Sequence, residues 1–270
     1  MTPPPEDAPE ESLVSPKLIT HLLELRRRLL QSVLALFLVF ACLFPFQNRL
    51  FELLALPMIR RLPSGSSMIA TGVVSPFMTP MKLALVAALF LCVPVFLYHL
   101  WRFVSPALYK SERRLFLPLL VSSVVLFYSG VAFAYFVLFP VAFAFLTSVA
   151  PEGVRVMTDI NAYLDFVLTI FFAFGVAFEV PVVIVLAVWA GITSPGKLKK
   201  LRPYALVGAF IVGFILAPPD VISMTLLALP IYLLYELGMV MARFLVPGSR
   251  EVDAQHEHEH EQEQEQEQGR

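Results

Sequence analysis

The chain has 270 residues, of which 58% are hydrophobic and 13% aromatic, with a formal net charge of −1 and a mean hydropathy of +0.75. A soluble domain of this length does not carry so much apolar surface, so the composition excludes an ordinary water-soluble protein and predicts an integral membrane one. The apolar runs are continuous and not alternating, which predicts helices and argues against a barrel.

Residues 1–16 are rich in Pro and acidic side chains and read as a cytoplasmic N-terminal tail, without the charged region and cleavage site of a secretory signal peptide. From Ser15-Pro16 an amphipathic lead-in begins, with Ser15 at the N-cap, Pro16 in the first turn, and Leu18, Leu22, Leu25 and Leu29 on one stripe. A bilayer-crossing helix needs about 20 apolar residues. Such runs fall at Leu29–Phe46, Phe77–Phe103, Leu115–Phe139, Tyr163–Val188, Tyr204–Leu216 and Val221–Met241. The expectation is therefore an all-α membrane domain over 17–245 with six transmembrane helices, the fifth and sixth short or paired as a shallow re-entering unit. Residues 246–270 form a disordered cytoplasmic tail of low complexity.

Pro94, Pro118, Pro181 and Pro230 lie inside these runs, where each removes a backbone donor and tends to kink its helix. A kinked, curved bundle with a concave face follows. The connection over 57–80, "PMIRRLPSGSSMIATGVVSPFMTP", mixes turn residues with apolar ones and reads as a rigid cap, with Pro57 a structural or partner-contact candidate. Cys42 and Cys92 both fall in spans and no disulfide is expected.

Basic residues orient the spans. Lys17, Arg26, Arg27 and Arg28 precede the first; Arg102, Lys110, Arg113 and Arg114 lie between the second and third; Lys197, Lys199, Lys200 and Arg202 lie between the fourth and fifth. The opposite connections hold only Arg49, Arg60, Arg61, Lys82 and Arg155. Both termini are expected in the cytoplasm.

Five acidic residues stand out. Glu179, in "FGVAFEVPVVIV", lies 16 positions past Tyr163, about 24 Å along a helix. A carboxylate there costs on the order of 2.5–3.5 kcal/mol to insert, so with Pro181 it predicts an intramembrane cavity or, failing that, a protonated group bonded to a neighbouring helix. Glu112, behind Ser111, suits the first turn of a helix. Glu24, in "HLLELRRRLL", can pair with Arg28 four residues on, worth about 0.3–0.5 kcal/mol. Asp220 reads as the N-cap of the last helix. Glu236 can pair with Arg243 or meet another helix.

Two motifs are set aside. His256-Glu257-His258-Glu259-His260 fits the zinc-protease pattern H-E-x-x-H, but it lies in a polar tail with no apolar face to seat a helix. Arg26-Arg27 is similar to a twin-arginine export address, yet it leads into a full span and reads as an anchor. No catalytic residues, metal, cofactor or nucleic-acid partner is expected. A proton-coupled transporter using Glu179 is the rival reading, disfavoured by the absence of an internal repeat and of a second intramembrane acid in a broken helix.

"HLLELRRRLL", "GSSMIATGVVSPFMTPMKL", "FVSPALYKSERR", "APEGVRVMTDINAYL", "FGVAFEVPVVIV", "GITSPGKLKKLRPYALVGAFIVGFILAPPD" and "LLALPIYLLYELG" occur in order over residues 17–245, and together they resemble the TatC family, the C subunit of the twin-arginine protein translocase. The resemblance implies a receptor in the cytoplasmic (inner) membrane for twin-arginine signal peptides of folded cargo, and not an enzyme. It places Glu24 and Glu112 as acceptors of the signal's arginines, with Arg26, Phe103 and Pro106 in the same site, and lines the concave face with Glu179. It also implies TatA/TatB-type single-span partners, further copies of the chain, lipid contacts and translocation driven by the proton-motive force. Polar residues are expected at the edge of the last two helices in this family; Ala217 and Met224 are apolar here.

Overall fold

The computed structural model describes residues 16–60, 67–104, 113–148, 157–216 and 220–246. All of the regular elements in them are helical. Helix α1 spans Pro16–Leu43 and passes through one 3-10 turn, Phe44–Phe46, into α2, Gln47–Ile59. Helices α3, Ser75–Leu91, and α4, Val93–Val104, form a pair bent by 44°. Helix α5, Arg113–Phe133, continues through a π-helical segment, Ala134–Leu138, into α6, Phe139–Ser148. Helices α7, Ile160–Ala177, and α8, Val180–Trp189, follow with a break at Phe178–Glu179. The short α9, Pro195–Lys200, then leads to α10, Arg202–Leu216, and α11, Val221–Leu245.

Four of these helical stretches are long and apolar enough to cross a bilayer, a fifth counts if the bent α3–α4 pair is one span, and α10 is a shorter apolar helix. Two expectations on length need correction. The first apolar stretch runs on to Ile59, so Pro57 lies inside α2 and not in a connection. The sixth helix is not short: α11 has 25 residues, because Pro230 is accommodated within it and the helix continues past Met241 to a cap at Val246. Only α10 is short, at 15 residues or about 22 Å.

Prolines explain a recurring arrangement. A proline at position i leaves the carbonyl of i−4 without its helical donor. Pro57 frees the Leu53 carbonyl, and the Tyr135 hydroxyl donates to it at 2.9 Å. Pro94 frees the Phe90 carbonyl, and the Tyr128 hydroxyl donates to it at 3.0 Å. Tyr163 donates to the next carbonyl of α2, that of Leu54, at 2.7 Å. With no water in the hydrocarbon, a neighbouring helix has to satisfy such groups.

Helix α7 is the centre of the bundle. Leu164, Val167, Ile170 and Phe174 are fully buried against Phe139 and Phe143 of α6 and Leu83 of α3. A second cluster joins α8, α9 and α11 through Ile184, Val185, Val188, Leu198, Met239 and Ala242. Lipid tails are as apolar as these side chains, so close van der Waals packing and not exclusion of water holds the helices together. Gly213 shows the need for closeness: a Cβ there would stand 2.8 Å from the Met224 carbonyl oxygen of α11. At the end of α8, Gly191 takes a φ of +69°, and the Ile192 amide turns back to the Ala187 carbonyl at 2.9 Å, closing the helix for the turn into α9.

One end of the bundle is capped as expected. Ile69 and Asp159 form a short parallel bridge through Ile69 N to Thr158 O at 3.0 Å and Ile160 N to Ile69 O at 2.9 Å. The Asp159 carboxylate accepts from the Thr71 amide at 2.9 Å and the Thr71 hydroxyl at 2.7 Å, and caps α7 by accepting from the Asn161 and Ala162 amides. Asn161 in turn bonds to Ser75 at 2.5 Å and to Thr79 of α3. Thr71 is the main reason that the Asp159 carboxyl is held down at about 2.

Candidate functional site

Helix α1 runs antiparallel to the α3–α4 pair, since its Arg28 reaches α4 at His99 while the turn after α1 lies on α3. The Arg28 guanidinium donates through Nη1 to the His99 carbonyl at 3.4 Å. Glu24 lies one helical turn before Arg28 on α1, and Phe103 lies one turn after His99 on α4. Because the two helices are antiparallel, both of these turns extend toward the same end of the bundle, opposite the Ile69–Asp159 cap. Pro106 and Glu112 lie outside the described residues.

Arg26 is exposed on α1. With Arg27, Leu23, Leu30, Gln31 and Leu34 it lines an open groove of about 470 Å³. Nearby on α4, the Arg102 guanidinium is folded back onto its own helix, donating to the Tyr98 hydroxyl at 2.8 Å and standing 6.0 Å over that ring. The charged side chains that line this groove are the guanidinium groups of Arg26 and Arg27.

Glu179 sits at the break between α7 and α8, with its amide on the Val176 carbonyl at 3.0 Å and its carbonyl accepting from Val183 at 3.0 Å. Its Oε1 is buried without a hydrogen-bond partner. The fully buried Ser123 hydroxyl of α5 faces the Glu179 side chain. Pro181, in the first turn of α8, is fully buried against α11, where a Cβ on Gly238 would stand 2.9 Å from the Pro181 Cα. Asp220 caps α11 by accepting from the Ser223 amide at 2.7 Å, as expected from its position. Met224 is half-buried and its carbonyl takes part in the α10–α11 contact.

Several polar contacts were not legible beforehand. Glu236 pairs with Arg202 of α10 at 2.6 Å and accepts from Tyr232 at 2.7 Å, which settles its partner as another helix and not Arg243. Lys82 of α3 pairs with Asp165 of α7. The sequence signal for the second was a Lys and an Asp each within two turns of a helix start. The tyrosines that meet the proline-freed carbonyls had only half a signal, the proline. Among the described residues no group of three or more His, Cys, Asp or Glu side chains is placed to hold a metal ion.

Comparison with known proteins bears on this geometry. Residues 20–230 match the family model for the Sec-independent protein translocase protein TatC. The chain is 59% identical over 233 residues to the Sec-independent protein translocase protein TatC of Escherichia coli K12, covering 86% of this chain and 90% of that one. It is 52% identical over 237 residues to the Haemophilus influenzae protein of the same name, covering 88% and 93%. A crystal structure of the twin-arginine translocase receptor TatC superposes with a TM-score of 0.73 at 37% identity, covering 83% of this chain and 98% of that one.

Proposed function

The chain belongs to the TatC family of Sec-independent protein translocase proteins, membrane transport components and not enzymes, and from that premise we propose that it is the receptor for twin-arginine signal peptides of folded cargo. The observation that carries the proposal is the Arg28–His99 tie, which sets the Glu24 turn of α1 and the Phe103 turn of α4 at one end of antiparallel helices. Glu24 and Glu112 receive the two guanidinium groups of the signal. Phe103 and Pro106 shape the segment that carries Glu112, and Arg26 with its neighbours neutralises the empty site and discourages less well-matched cationic peptides.

The apolar part of the signal lies along the concave face near Glu179 and Pro181. The membrane domain covers 17–245 and crosses the inner membrane six times, with the bent α3–α4 pair and the short α10 each counted as one span. The tails 1–16 and 246–270 lie in the cytoplasm, on the side of Lys197, Lys199 and Lys200. TatA/TatB-type single-span proteins and further copies of the chain assemble with it, near Pro57, Asp220 and Met224, and the proton-motive force drives translocation.

Photocrosslinking from positions 24 and 112 to a signal peptide carrying Arg-Arg or Lys-Lys tests the site. Crosslinks are expected with Arg-Arg and reduced with Lys-Lys. Equal crosslinking to both peptides would show that the two glutamates do not read the arginine pair.

A further inference from the structure

The two ends of α4 are held by different devices. At its lower end Arg28 bonds to the His99 carbonyl. At its upper end the chain bends by 44° around Cys92, where the Cys92 amide still closes α3 onto Ala88 at 3.0 Å and the Val95 amide restarts the next helix on the Cys92 carbonyl at 2.9 Å. Between these, Pro94 offers no donor to the Phe90 carbonyl, and Tyr128 of α5 supplies one at 3.0 Å. The rings around the bend are locked together: Phe90 meets Phe127 edge-on at 5.6 Å and Phe171 at 6.3 Å.

We propose that Tyr128 is a positioning residue for signal recognition: by donating to the carbonyl that Pro94 leaves unpaired, it fixes the bend between α3 and α4 and so sets where the Phe103 turn of α4 stands relative to the Glu24 turn of α1. This rests on the receptor reading above. The lever makes the angle matter. From Pro94 to Val104 the helix extends about 15 Å, so straightening the 44° bend would carry its tip about 11 Å sideways. Charge-assisted hydrogen bonds form only at about 2.7–2.9 Å, so a peptide held between the Glu24 turn and the α4 side does not tolerate such a swing.

The bend needs Tyr128 for a reason specific to Pro94. A helix with alanine at that position would satisfy the Phe90 carbonyl through its own backbone and would have no cause to bend. With proline, the carbonyl has to find a donor from outside or remain bare in hydrocarbon, and the hydroxyl on α5 is available in the bent geometry.

The test uses the full-length chain in nanodiscs with Cys42→Ala and Cys92→Ala, spin-labelled at Val33→Cys on α1 and Leu100→Cys on α4, both exposed and outside the groove. A signal peptide carrying Arg-Arg, with a Lys-Lys peptide as control, measures binding in the same sample. Tyr128→Phe is expected to broaden or shift the inter-label distance and to weaken Arg-Arg binding about fivefold or more. Adding Pro94→Ala to Tyr128→Phe returns a backbone donor to Phe90, so thermal stability should recover while binding does not, because the bend is lost. An unchanged distance and affinity in Tyr128→Phe overturns the proposal, as does binding that recovers with stability in the double variant. If the labelled parent fails to distinguish the two peptides, the receptor reading fails, and the distance distribution of Tyr128→Phe alone then decides whether the clamp exists.

Discussion

Replacing Glu236 by Leu removes the carboxylate that joins α10 to α11. Its loss breaks a 2.6 Å ion pair to Arg202 and a 2.7 Å hydrogen bond from Tyr232. Hydrogen bonds to charged groups contribute about 1.5–3 kcal/mol. The Arg202 side chain is 40% exposed and Glu236 25%, so solvent reduces the first contribution to about 1 kcal/mol. The tyrosine bond adds about 1 kcal/mol. A total near 2 kcal/mol corresponds to a fall in Tm of about 4–8 °C for a chain of this size. Thermal scanning in detergent reads it, with Asp165→Asn as an internal control. The Lys82–Asp165 pair is 53% and 57% exposed, and such pairs contribute about 0–1 kcal/mol. Arg202→Met added to Glu236→Leu should cost little more than Glu236→Leu alone, since the partner is already gone. A Tm for Glu236→Leu no lower than that of Asp165→Asn, or full additivity with Arg202→Met, would refute the reasoning.

Tyr135→Phe should cost about 1–3 kcal/mol by stranding the Leu53 carbonyl, and the cost should shrink in a Pro57→Ala background, where the backbone supplies the donor; equal losses in both backgrounds in thermal scanning would contradict it. The cap should be acid-sensitive in a defined window. Because Thr71 and the α7 amides hold the Asp159 carboxyl at about 2, below its ordinary 3.8, its contribution is full above about pH 4 and is lost as pH falls toward 2. Wild-type Tm should therefore drop more between pH 4 and pH 2 than that of Asp159→Asn, and parallel curves would show that Asp159 is not the titrating group.

The class of protein and the approximate positions of the apolar helices could be read from the sequence, because hydropathy over about 20 residues is a local property. The Asp220 cap was readable for the same reason: an N-cap needs only its own next turn. The short fifth helix was visible as 13 apolar residues between Tyr204 and Pro218, and it is the same α10 that the structure extends to Arg202. What could not be read was which distant residues meet. Pro57 looked like the start of a connection, since nothing near it in sequence announces that Tyr135 and Tyr163 support the α2 backbone from other helices. The last apolar run reads as ending at Met241, and α11 continues past it to Leu245 with Pro230 inside the helix. For the candidate site, it is the family resemblance that points to Glu24 and Phe103, and Arg28 reaching His99 brings their turns to one end.

Helix α1 and helix α4 contribute to that end in unequal ways. The apolar stretch that begins at Arg26 has only 6% of its most apolar window buried, its inward contacts being with α3 and α4. Helix α4 follows from a bundle centred on α7, through a bend stapled by Tyr128 and by the Phe90, Phe127 and Phe171 rings. In hydrocarbon, where packing and satisfied polar groups supply the cohesion, the more contacted element is the stiffer one. The bend therefore fixes the direction of α4, and Arg28 ties α1 to it at His99. The position of α4 is thus set deep in the bundle, at a proline whose missing hydrogen bond a neighbouring tyrosine replaces.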